Sequence, residues 1–537
     1  MATSRSRPLF PGAPGSRRPA ALRPSIGWWF QGVVGVRSQL EVERKFAVPE
    51  GFRLSDVALP KGLRADGTLH LESTYVDTPD LRLAAHGITL RRRTGGTDDG
   101  WHLKLPRPEG RLEVHEPPGP EGGDPPGSLR RLVAVHVRDE PLVPVARLRT
   151  TRAVHRLRDD DGPVLAEVVE DDVTAEALGD DVTVSTWHEV EVELVDGGPD
   201  VLDEVAAALV VAGATDPPAP SKLARALGSR LPRRAPSPRP AGRGDPAVDV
   251  VMAYVVEEVS ALKDADPGVR RDEDDAVHQM RVASRRLRSA LKTFRPVLDR
   301  ARTDVVRGEL RWLAQALGDA RDTEVLHARL REMLGTEGRH PDRDAAARVD
   351  AALGTRYDRA HREVLTDLGN PRYFRLLDEL DALVATPPLA HAADRPAEEV
   401  LPRTARKAYR EVRRLHGRAQ AAESAEQRET QLHEVRKAAK RARYAGEALR
   451  PAFGDDAKKF AAAMEEVQEV LGEHRDSVIA GQTLTGLAAQ AREEGEDTFE
   501  LGRLAGLEEA RSAAAAAAYD AAWAAASRKK LRRWTRR

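Results

Sequence analysis

Apolar and polar residues alternate with a period of two along the first part of the chain. The alternation recurs between about residues 39 and 194, and clusters of Gly, Pro and Asp separate its segments, which include LEVERKFAV, ITLRRRT, WHLKLP, VARLRTTRAVHRL, VLAEVVEDDVT and WHEVEVEL. A period of two is typical of β-strands. Because polar residues occupy alternate positions in several strands, the pattern predicts a barrel with a polar interior.

The pattern changes near residue 200. Residues 200–227 read as two short helices, and residues 229–246 are rich in Pro, Arg and Gly, which predicts an extended linker. From Ala247 onward almost no strand pattern remains, and long segments of Ala, Leu, Arg and Glu carry a helical period. The chain is therefore predicted to be a multidomain α+β protein with an N-terminal sheet and an all-α C-terminal half.

The helical half contains an internal repeat. HQMRVASRRLR begins at His278 and HEVRKAAKRAR begins at His433, 155 residues later. Downstream, LGDARDTEV at Leu317 is matched by LGEHRDSVI at Leu471, 154 residues later. Two matched motifs at nearly the same offset indicate a duplicated helical bundle.

The first 37 residues are basic and contain no acid. An apolar segment from Ile26 to Val36 is similar to a short signal-peptide core, but Gln31 interrupts it and no clear cleavage site follows. We therefore expect a disordered extension. The predicted parts of the chain are an extension (1–37), a sheet domain (38–228), a linker (229–246) and a helical domain (247–530).

The amino-acid composition limits which catalytic groups and metal ligands the chain can use. The chain has 85 basic and 86 acidic residues, and these charges are dense and clustered by position. It has no cysteine, which excludes disulfides, zinc–thiolate sites and thiol nucleophiles. A metal would need oxygen or imidazole ligands, and a carboxylate-rich site favours Mg²⁺ or Mn²⁺. No segment approaches the ~20 apolar residues of a membrane span, so we expect no membrane partner.

Charged side chains share a face within several predicted strands. Glu41 and Glu43 alternate with Leu40 and Val42, so both carboxylates point to one side together with Lys45. By similar parity, Glu189 and Glu191 share a face with Glu193, and the candidate metal ligands on later strands are Glu167, Asp171, Glu189 and Glu191. Candidate phosphate-binding residues are Arg91, Arg93, Lys104, Arg147 and Arg149, with Arg152 nearby.

A solvated outer face would account for any one of these strands. Some strands, however, carry only acids and others mainly bases, while their alternate positions are apolar. A barrel with acids on one wall and bases on another would hold a metal-bound polyanion, because carboxylates bind the metal while Arg and Lys bind phosphate oxygens.

The segments LEVERKF, YVDTPDLRLAAHGITLRRR, WHLKLP and WHEVEVEL resemble the CYTH superfamily, also called the triphosphate tunnel metalloenzymes. The resemblance covers about residues 38–228 and implies an eight-stranded antiparallel tunnel that binds triphosphate with a divalent metal. It implies metal ligation by Glu41, Glu43, Glu167, Asp171, Glu189 and Glu191, triphosphate binding by Arg91, Arg93 and Lys104, and catalytic roles for Glu43 and Lys45.

The implied reaction is phosphoryl transfer to water. A metal offsets the charge that develops as the terminal phosphoryl group departs, and basic residues hold the phosphate chain in line. A water bound by a carboxylate or oriented by Lys45 attacks.

Basic residues form two stripes in the helical half. At 100° per residue, the first stripe falls within an arc of about 80° on one helix face, and the second repeats its spacing. Like charges at these spacings cost a few tenths of a kcal/mol per pair. The first stripe is His278, Arg281, Arg285, Arg288 and Lys292, and the second stripe is His433, Arg436, Lys440 and Arg443.

Two interpretations of the stripes remain open. They could form salt bridges with acids on other helices, such as Asp319, Asp322, Glu473 and Asp476. Alternatively, a stripe of one sign in two copies, with a histidine at the head of each, favours an anionic partner.

The stripes and the matched downstream motifs resemble the CHAD domain, a histidine-containing α-helical domain often fused to CYTH. The resemblance covers about residues 245–530 and implies two pseudo-symmetric four-helix bundles around a basic channel for inorganic polyphosphate. It places the binding residues on both stripes, with further basic candidates on other helices: Arg321, Arg403, Lys407, Arg410, Arg414 and Arg475.

Three functions follow from these resemblances. The first is hydrolysis of inorganic triphosphate or a related phosphoanhydride, assisted by a polyphosphate-binding domain, in the cytoplasm. The second is a polyphosphate-binding protein without turnover, located on polyphosphate granules. The third is a class IV-type adenylate cyclase, which we rank last because no dedicated adenine pocket is evident. Nucleic acid is disfavoured as a partner because aromatics are scarce near the stripes, and the oligomeric state stays open.

Overall fold

The structure is a computed structural model that describes residues 37–59, 62–120, 123–158, 162–232, 241–336 and 343–536. The predicted N-terminal extension, apart from Arg37, and residues 233–240 of the predicted linker lie outside the described residues.

Nine strands form one antiparallel sheet in the first half of the described chain. They are β1 (Arg37–Glu41), β2 (Glu43–Ala47), β3 (Leu63–Asp77), β4 (Thr89–Thr94), β5 (Gly100–Arg107), β6 (Gly110–Glu116), β7 (Val143–Arg158), β8 (Val164–Ala177) and β9 (Thr183–Leu194). Their spatial order is β1-β6-β5-β4-β3-β7-β8-β9-β2.

The first predicted strand is broken at Val42. β1 pairs with β6 and β2 pairs with β9, so consecutive pieces of chain lie at the two edges of the sheet. The break falls where the strand changes partner, and the Val42 carbonyl accepts a hydrogen bond from the Leu194 N–H at 3.0 Å. No ladder joins β1 to β2 among the described strands. The antiparallel sheet is confirmed, but the eight-stranded closed barrel is wrong in strand count and closure.

The pairing of neighbouring strands places every second residue of each strand on the same face of the sheet. Tyr75 on β3 lies opposite Arg91 on β4, and Arg91 lies opposite His102 on β5. Lys104, two residues further along β5, lies opposite Glu113 on β6. Because side chains alternate across a strand, this register gathers the polar residues of several strands on one face, which we call the inner face.

Helices cover both faces of the sheet. The short helices among its strands are α1 (Arg82–Ala85), α2 (Gly127–Leu132) and α3 (Ala134–Val137), and two more follow β9, namely α4 (Pro199–Val211) and α5 (Lys222–Leu227). This confirms the two helices predicted within residues 200–227.

The two helices that follow β9 pack differently. Val205 and Leu209 of α4 join the apolar cluster of Val190 and Val192 on the outer face. By contrast, α5 packs its leucines against inner-face residues such as Tyr75. This docking brings the first residue of α5 to the inner face.

The second half is all-α, as predicted. Its helices are α6 (Ala247–Arg270), α7 (Ala276–Thr293), α8 (Arg300–Ala316), α9 (Gly318–Thr336), α10 (Arg343–Leu368), α11 (Pro371–Ala385), α12 (Ala397–Gln420), α13 (Ala425–Phe453), α14 (Asp455–Glu493) and α15 (Phe499–Ala526), followed by a 3₁₀ segment (Lys529–Arg536).

A reciprocal pair of backbone hydrogen bonds relates the starts of α6 and α12. The Ala247 N–H donates to the Arg395 carbonyl at 2.8 Å, and the Ala397 N–H donates to the Asp245 carbonyl at 2.9 Å. Both helices have 24 residues and begin after a proline. The two repeats are therefore related by a local pseudo-two-fold arrangement at this point.

The repeats share one core instead of forming two separate four-helix bundles. The largest apolar cluster contains Leu287 and Leu310 from the first repeat together with Val435 and Phe460 from the second. A smaller cluster joins α9 and α10 to α14 and α15. In the described residues the first repeat uses six helices and the second uses four.

Ion pairs join the sheet to the helical half. Arg107 at the end of β5 donates to Glu273 at 2.8 Å. Buried Arg138 forms an ion pair with Asp378 of α11 at 2.8 Å and donates a hydrogen bond to Asp381. The Ser38 hydroxyl at the start of β1 accepts from Arg271 at 3.1 Å.

Candidate functional site

A cavity of about 470 Å³ lies on the inner face of the sheet. Among the described lining residues, seven are acidic and seven are basic, so the lining is nearly balanced in charge. The acids are Glu41, Glu43, Asp98, Glu113, Glu167, Glu191 and Glu193, and the bases are Lys45, Arg91, Arg93, Lys104, Arg111, Arg152 and Lys222.

Lys104 binds two acids on neighbouring strands. Its Nζ contacts Glu41 and lies 3.7 Å from Glu113. Burial raises the pKa of Glu41 to about 8, against the opposing effect of Lys104 and with the help of Glu113. Glu113 also contacts His102 at 3.1 Å, and burial lowers the pKa of that histidine to about 4. Glu41 and Glu113 therefore repel each other electrostatically, and a bound cation would reduce that repulsion.

Lys45 lies between two carboxylates. Its Nζ donates to Glu43 at 2.7 Å and also contacts Glu191. Burial alone would raise the pKa of Glu43, but Lys45 and Lys104 together hold that pKa below its usual value. Glu43 is therefore charged at neutral pH.

Lys222, the first residue of α5, occupies the centre of a carboxylate cluster. Its Nζ lies 2.9 Å from Asp171, 2.6 Å from Glu189 and 2.7 Å from Glu191. One oxygen from each of these acids lies within 4.8 Å of the others, which fits a divalent cation held by oxygen ligands. The ammonium stands where such a cation would lie, and these acids raise the pKa of Lys222 despite its burial.

The cavity arginines differ in how completely they are paired. Arg152 binds Asp171 through two hydrogen bonds of 2.8 and 2.7 Å and reaches Glu191 at 3.1 Å. Arg93 pairs with Asp98 of the following loop. Arg91 donates to the Tyr75 hydroxyl at 3.0 Å, and no carboxylate pairs with it among the described residues.

Most of the predicted cavity residues come together, with two exceptions. Arg147 and Arg149 are exposed on the outer face, where Arg149 pairs with Glu176 at 3.3 Å and Glu72 at 3.5 Å. The expectation that they reach the tunnel is wrong, because on β7 the inner face carries Leu148 and other even-numbered residues. Asp171 and Glu189 reach the Lys222 cluster but do not line the cavity itself.

Charged residues of the site that were not predicted as ligands include Glu193, Glu113 and Lys222. Glu193 continues the alternation of Glu189 and Glu191 and lies opposite Glu43. Glu113 lies in the alternating RLEVHE segment. The period of two therefore indicates the face of both Glu113 and Glu193. Lys222 lies in a helix far along the chain, and only the docking of α5 reveals it.

The two basic stripes lie on α7 and α13, which pack against each other. Burial, together with Arg285 and Arg436, lowers the pKa of Lys440 to about 7. Burial also lowers the pKa of Arg285, and Arg281 and Arg436 act in the same direction. The tertiary fold therefore concentrates bases of one sign from both stripes in one place, which we call the stripe junction (Arg281, Arg285, Arg436 and Lys440).

Some stripe residues have acidic partners. Arg443 pairs with Glu447 at 2.6 Å and Glu465 at 2.9 Å, and Arg281 pairs with Asp322 at 2.7 Å. The salt-bridge interpretation therefore applies to these two arginines.

The stripe histidines and the far end of the first stripe have basic neighbours. Burial lowers the pKa of His278 and His433, and adjacent bases add to the effect. Burial likewise lowers the pKa of Arg288 and Lys292, and neighbouring arginines that the sequence interpretation did not include contribute: Arg307, Arg311 and Arg441.

The basic candidates outside the stripes, and the acids that were considered as salt-bridge partners of the stripes, do not form one cluster. Arg321 pairs with Glu324 at 3.0 Å, and Glu473 accepts from Arg329 instead of from a stripe residue. Arg475 lies beside His433 and contributes to its lowered pKa. The four candidates on α12 are exposed: Arg403, Lys407, Arg410 and Arg414. No described helix combines the length and apolar character needed to cross a membrane.

Comparison with known proteins identifies both halves. Residues 39–227 match the CYTH domain model and residues 253–485 match the CHAD domain model. An uncharacterized protein of Mycobacterium tuberculosis is 40% identical over 494 residues, covering 87% of this chain and 92% of that protein. The chain belongs to the family of proteins in which a CHAD domain follows a CYTH domain.

Two solved structures are similar to part of the chain. PptA from Streptomyces chartreusis is 24% identical with a TM-score of 0.43, covering 52% of this chain and 99% of that chain. The CHAD domain from the plant Ricinus communis is 26% identical with a TM-score of 0.40, covering 54% of this chain and 95% of that chain.

Proposed function

We propose that the sheet cavity hydrolyses inorganic triphosphate or a related terminal phosphoanhydride with Mg²⁺ or Mn²⁺, and that the helical half binds inorganic polyphosphate. The observation that carries the first part is the balanced lining of carboxylates and bases in one cavity of about 470 Å³. A triphosphate with a divalent cation presents both signs of charge, so it matches both sets of residues.

The phosphate oxygens contact Arg91 and Lys104 in this proposal. Arg91 is the best available donor, because it binds the Tyr75 hydroxyl and no described carboxylate pairs with it. Arg93 becomes available when Asp98 releases it, and Asp98 lies in a loop between two strands. Guanidinium groups bind phosphate in a bidentate manner and would hold the chain in line for displacement.

The metal ligands are Glu41 and Glu43 with Glu193, which line the cavity together. The alternative set of Asp171, Glu189 and Glu191 already surrounds the Lys222 ammonium. A divalent cation would neutralise phosphate oxygens and the charge that develops on the departing group.

Lys45 positions the attacking water. An ammonium has three N–H donors, and two are taken by Glu43 and Glu191. The third can hold a water oxygen, while a neighbouring carboxylate accepts the proton that the water loses. Lys222 and Arg152 keep Glu191 oriented for this arrangement.

Polyphosphate binding by the helical half is supported by the stripe junction. Burial lowers the pKa of Lys440 to about 7, and the nearby Arg285 and Arg436 act in the same direction. A linear polyanion supplies the missing counter-charge along both stripes. Association with polyphosphate granules in the cytoplasm belongs to this part of the proposal.

A second candidate is binding without turnover. Its support is the Lys222 ammonium, which fills the carboxylate cluster that would otherwise suit a cation. The purified protein should be given triphosphate, long-chain polyphosphate or ATP with Mg²⁺ or Mn²⁺. Phosphate release that EDTA abolishes supports hydrolysis, binding of triphosphate without release supports the second candidate, and cyclic AMP from ATP supports the cyclase.

A further inference from the structure

The loop between β4 and β5 stands at one end of the sheet cavity. Arg93 is the last inner-face residue of β4, and after residues 95–99 the chain enters β5 directly opposite Arg93. Within this loop, the Asp98 carboxylate pairs with the Arg93 guanidinium. The side chain of Arg93 is 10% exposed and that of Asp98 is 45% exposed. The acid therefore reaches the buried base from the solvent side.

The backbone of this loop is fixed at both ends. Gly95 has a φ of +91°, and a Cβ there would lie 2.0 Å from the His70 carbonyl oxygen. Gly100 has a φ of +152°, and a Cβ there would lie 2.3 Å from the Glu116 carbonyl oxygen. Both positions therefore require glycine, and the loop leaves and rejoins the sheet in close contact with neighbouring strands.

Two histidines hold the last two carbonyl groups of the loop. His102 Nε2 donates to the Asp98 carbonyl at 2.9 Å, and His115 Nε2 donates to the Asp99 carbonyl at 3.3 Å. The two imidazole rings lie against each other, with their centroids 4.7 Å apart. Because the backbone is held in this way, rotation of the Asp98 side chain, and not opening of the loop, is what releases Arg93.

Asp98 also lies on the boundary between two cavities. A second cavity of about 440 Å³ adjoins the sheet cavity and shares Gln39, Asp98 and Glu113 with it as lining residues. Apart from histidines, its described ionisable lining residues are three acids and one arginine: Asp98, Asp99, Glu113 and Arg37. The sheet cavity is balanced in charge, whereas the second cavity is acidic and repels a polyanion.

The bases of the inner face form a row that ends at Asp98. Lys104 lies opposite Thr89 on β4, and Arg91 and Arg93 follow Thr89 at intervals of two residues, which is about 7 Å each. The proposed function places a triphosphate on Lys104 and Arg91, so its far end approaches Arg93. A longer chain needs Arg93 as well and then enters the acidic second cavity.

We propose that Asp98 limits the length of the phosphate chain that the sheet cavity accepts, because its carboxylate occupies Arg93 and opposes a fourth phosphate group. The inference rests on the proposed hydrolysis of triphosphate in this cavity. A fourth phosphate has to displace Asp98 from Arg93, and the displaced carboxylate stays close because the loop is fixed. Both effects weaken binding of longer chains more than binding of triphosphate. Long polyphosphate is then a ligand of the helical half and not a substrate of the cavity.

The test compares Asp98→Asn with the wild type, using tripolyphosphate and tetrapolyphosphate as substrates of the full chain with Mg²⁺. Asparagine keeps the shape of the side chain and removes its charge. The ratio of kcat/KM for tetrapolyphosphate to that for tripolyphosphate should rise about tenfold, mainly through a lower KM for the longer chain. Asp98→Glu keeps the charge and should keep the wild-type preference for tripolyphosphate.

Asp99→Asn is the matched control. The Asp99 carboxylate accepts a hydrogen bond from the Gly96 N–H at 2.9 Å, and asparagine can still accept it. Asp99 does not line the sheet cavity among its described lining residues. This variant removes the same charge one residue away and should leave the ratio unchanged. Both substrates are measured on one preparation, so a partly unfolded fraction cancels from the ratio.

The outcomes separate this inference from the proposed function. An unchanged ratio in Asp98→Asn overturns the length limit alone, as does an equal rise in Asp99→Asn or a wild type that prefers tetrapolyphosphate. A wild type that hydrolyses neither chain overturns the proposed hydrolysis, and calorimetric binding of both chains then tests the length limit without turnover. In that measurement a relative gain of about tenfold for tetrapolyphosphate in Asp98→Asn supports the limit, and no relative gain overturns it.

Discussion

The sheet cavity and the stripe junction differ in the sign of the charges that surround their buried lysines. In the cavity, Lys45 and Lys222 each contact carboxylates from two strands. At the stripe junction, Lys440 is surrounded by arginines instead. The first region carries its own counter-charges, so a ligand must exchange with existing ion pairs. The second region lacks part of its counter-charge, which a polyanion supplies.

The same side-chain type therefore titrates in opposite directions in the two regions. Carboxylates raise the pKa of Lys222 although the residue is buried, whereas burial and arginines lower the pKa of Lys440 to about 7. A buried amine is charged only where the fold places acids around it. The comparison therefore predicts that Lys222 stays charged at neutral pH, whereas Lys440 changes its charge near pH 7.

The largest expected effect comes from removing a carboxylate of the cavity. Glu43→Ala should lower triphosphate turnover by about two to three orders of magnitude, because it removes a metal ligand and a partner of Lys45. Steady-state phosphate release measures it. Glu176→Ala on the outer face is the matched control and should keep normal turnover. Turnover by Glu43→Ala at the wild-type rate would remove Glu43 from the mechanism.

A second effect separates the two faces of the sheet. Arg91→Ala should lower kcat/KM for triphosphate by about 10- to 100-fold, since a charged hydrogen bond to phosphate is lost. Arg149→Ala should leave it unchanged, because Arg149 is exposed and pairs with Glu176 outside the cavity. Equal losses in the two variants would contradict the assignment of the inner face.

A smaller effect distinguishes paired from unpaired bases in the stripes. Changing Arg285 and Lys440 to Ala should weaken polyphosphate binding about tenfold and leave the melting temperature equal or higher, because like-charge repulsion is relieved. Arg443→Ala should instead lower the melting temperature, since Glu465 loses Arg443 and Glu447 keeps only Arg286 at 3.3 Å. Binding isotherms and thermal unfolding measure both. A lower melting temperature with unchanged affinity in the double variant would assign the stripes a structural role.

The smallest expected effect is a pH dependence. Burial and arginines lower the pKa of Lys440 to about 7, and a bound polyanion favours its charged form, so binding takes up a proton. Affinity for polyphosphate should fall about threefold as pH rises from about 6 to about 8. Lys440→Arg stays charged and should lose that dependence while keeping its affinity. Identical pH profiles for the two proteins would exclude Lys440 as its source.

The lowered pKa of Lys440 also determines how the free energy of unfolding changes with pH. The unfolded chain holds the Lys440 proton up to the usual pKa of 10.5, whereas the folded protein releases it near 7. Between these values the unfolded state binds more protons, so the free energy of unfolding attributable to this residue rises with pH. Below about pH 7 its destabilising effect is fully present.

The sequence by itself determined the elements and most candidate residues. A period of two identified the strands that carry Glu41, Glu43 and Lys45, because side-chain direction within a strand depends only on local geometry. The repeated spacing after His278 and His433 identified both stripes for the same reason. Within one element, position along the chain fixes which residues share a face.

Only the tertiary structure decided which faces meet. The parity of β7 placed Arg149 outside the cavity, since strand pairing and not composition selects the inner face. The docking of α5 brought Lys222 among acids from two strands, and the packing of α7 on α13 surrounded Lys440 with arginines. These contacts join residues far apart in the chain. They depend on the packing of whole elements, which local periodicity does not encode.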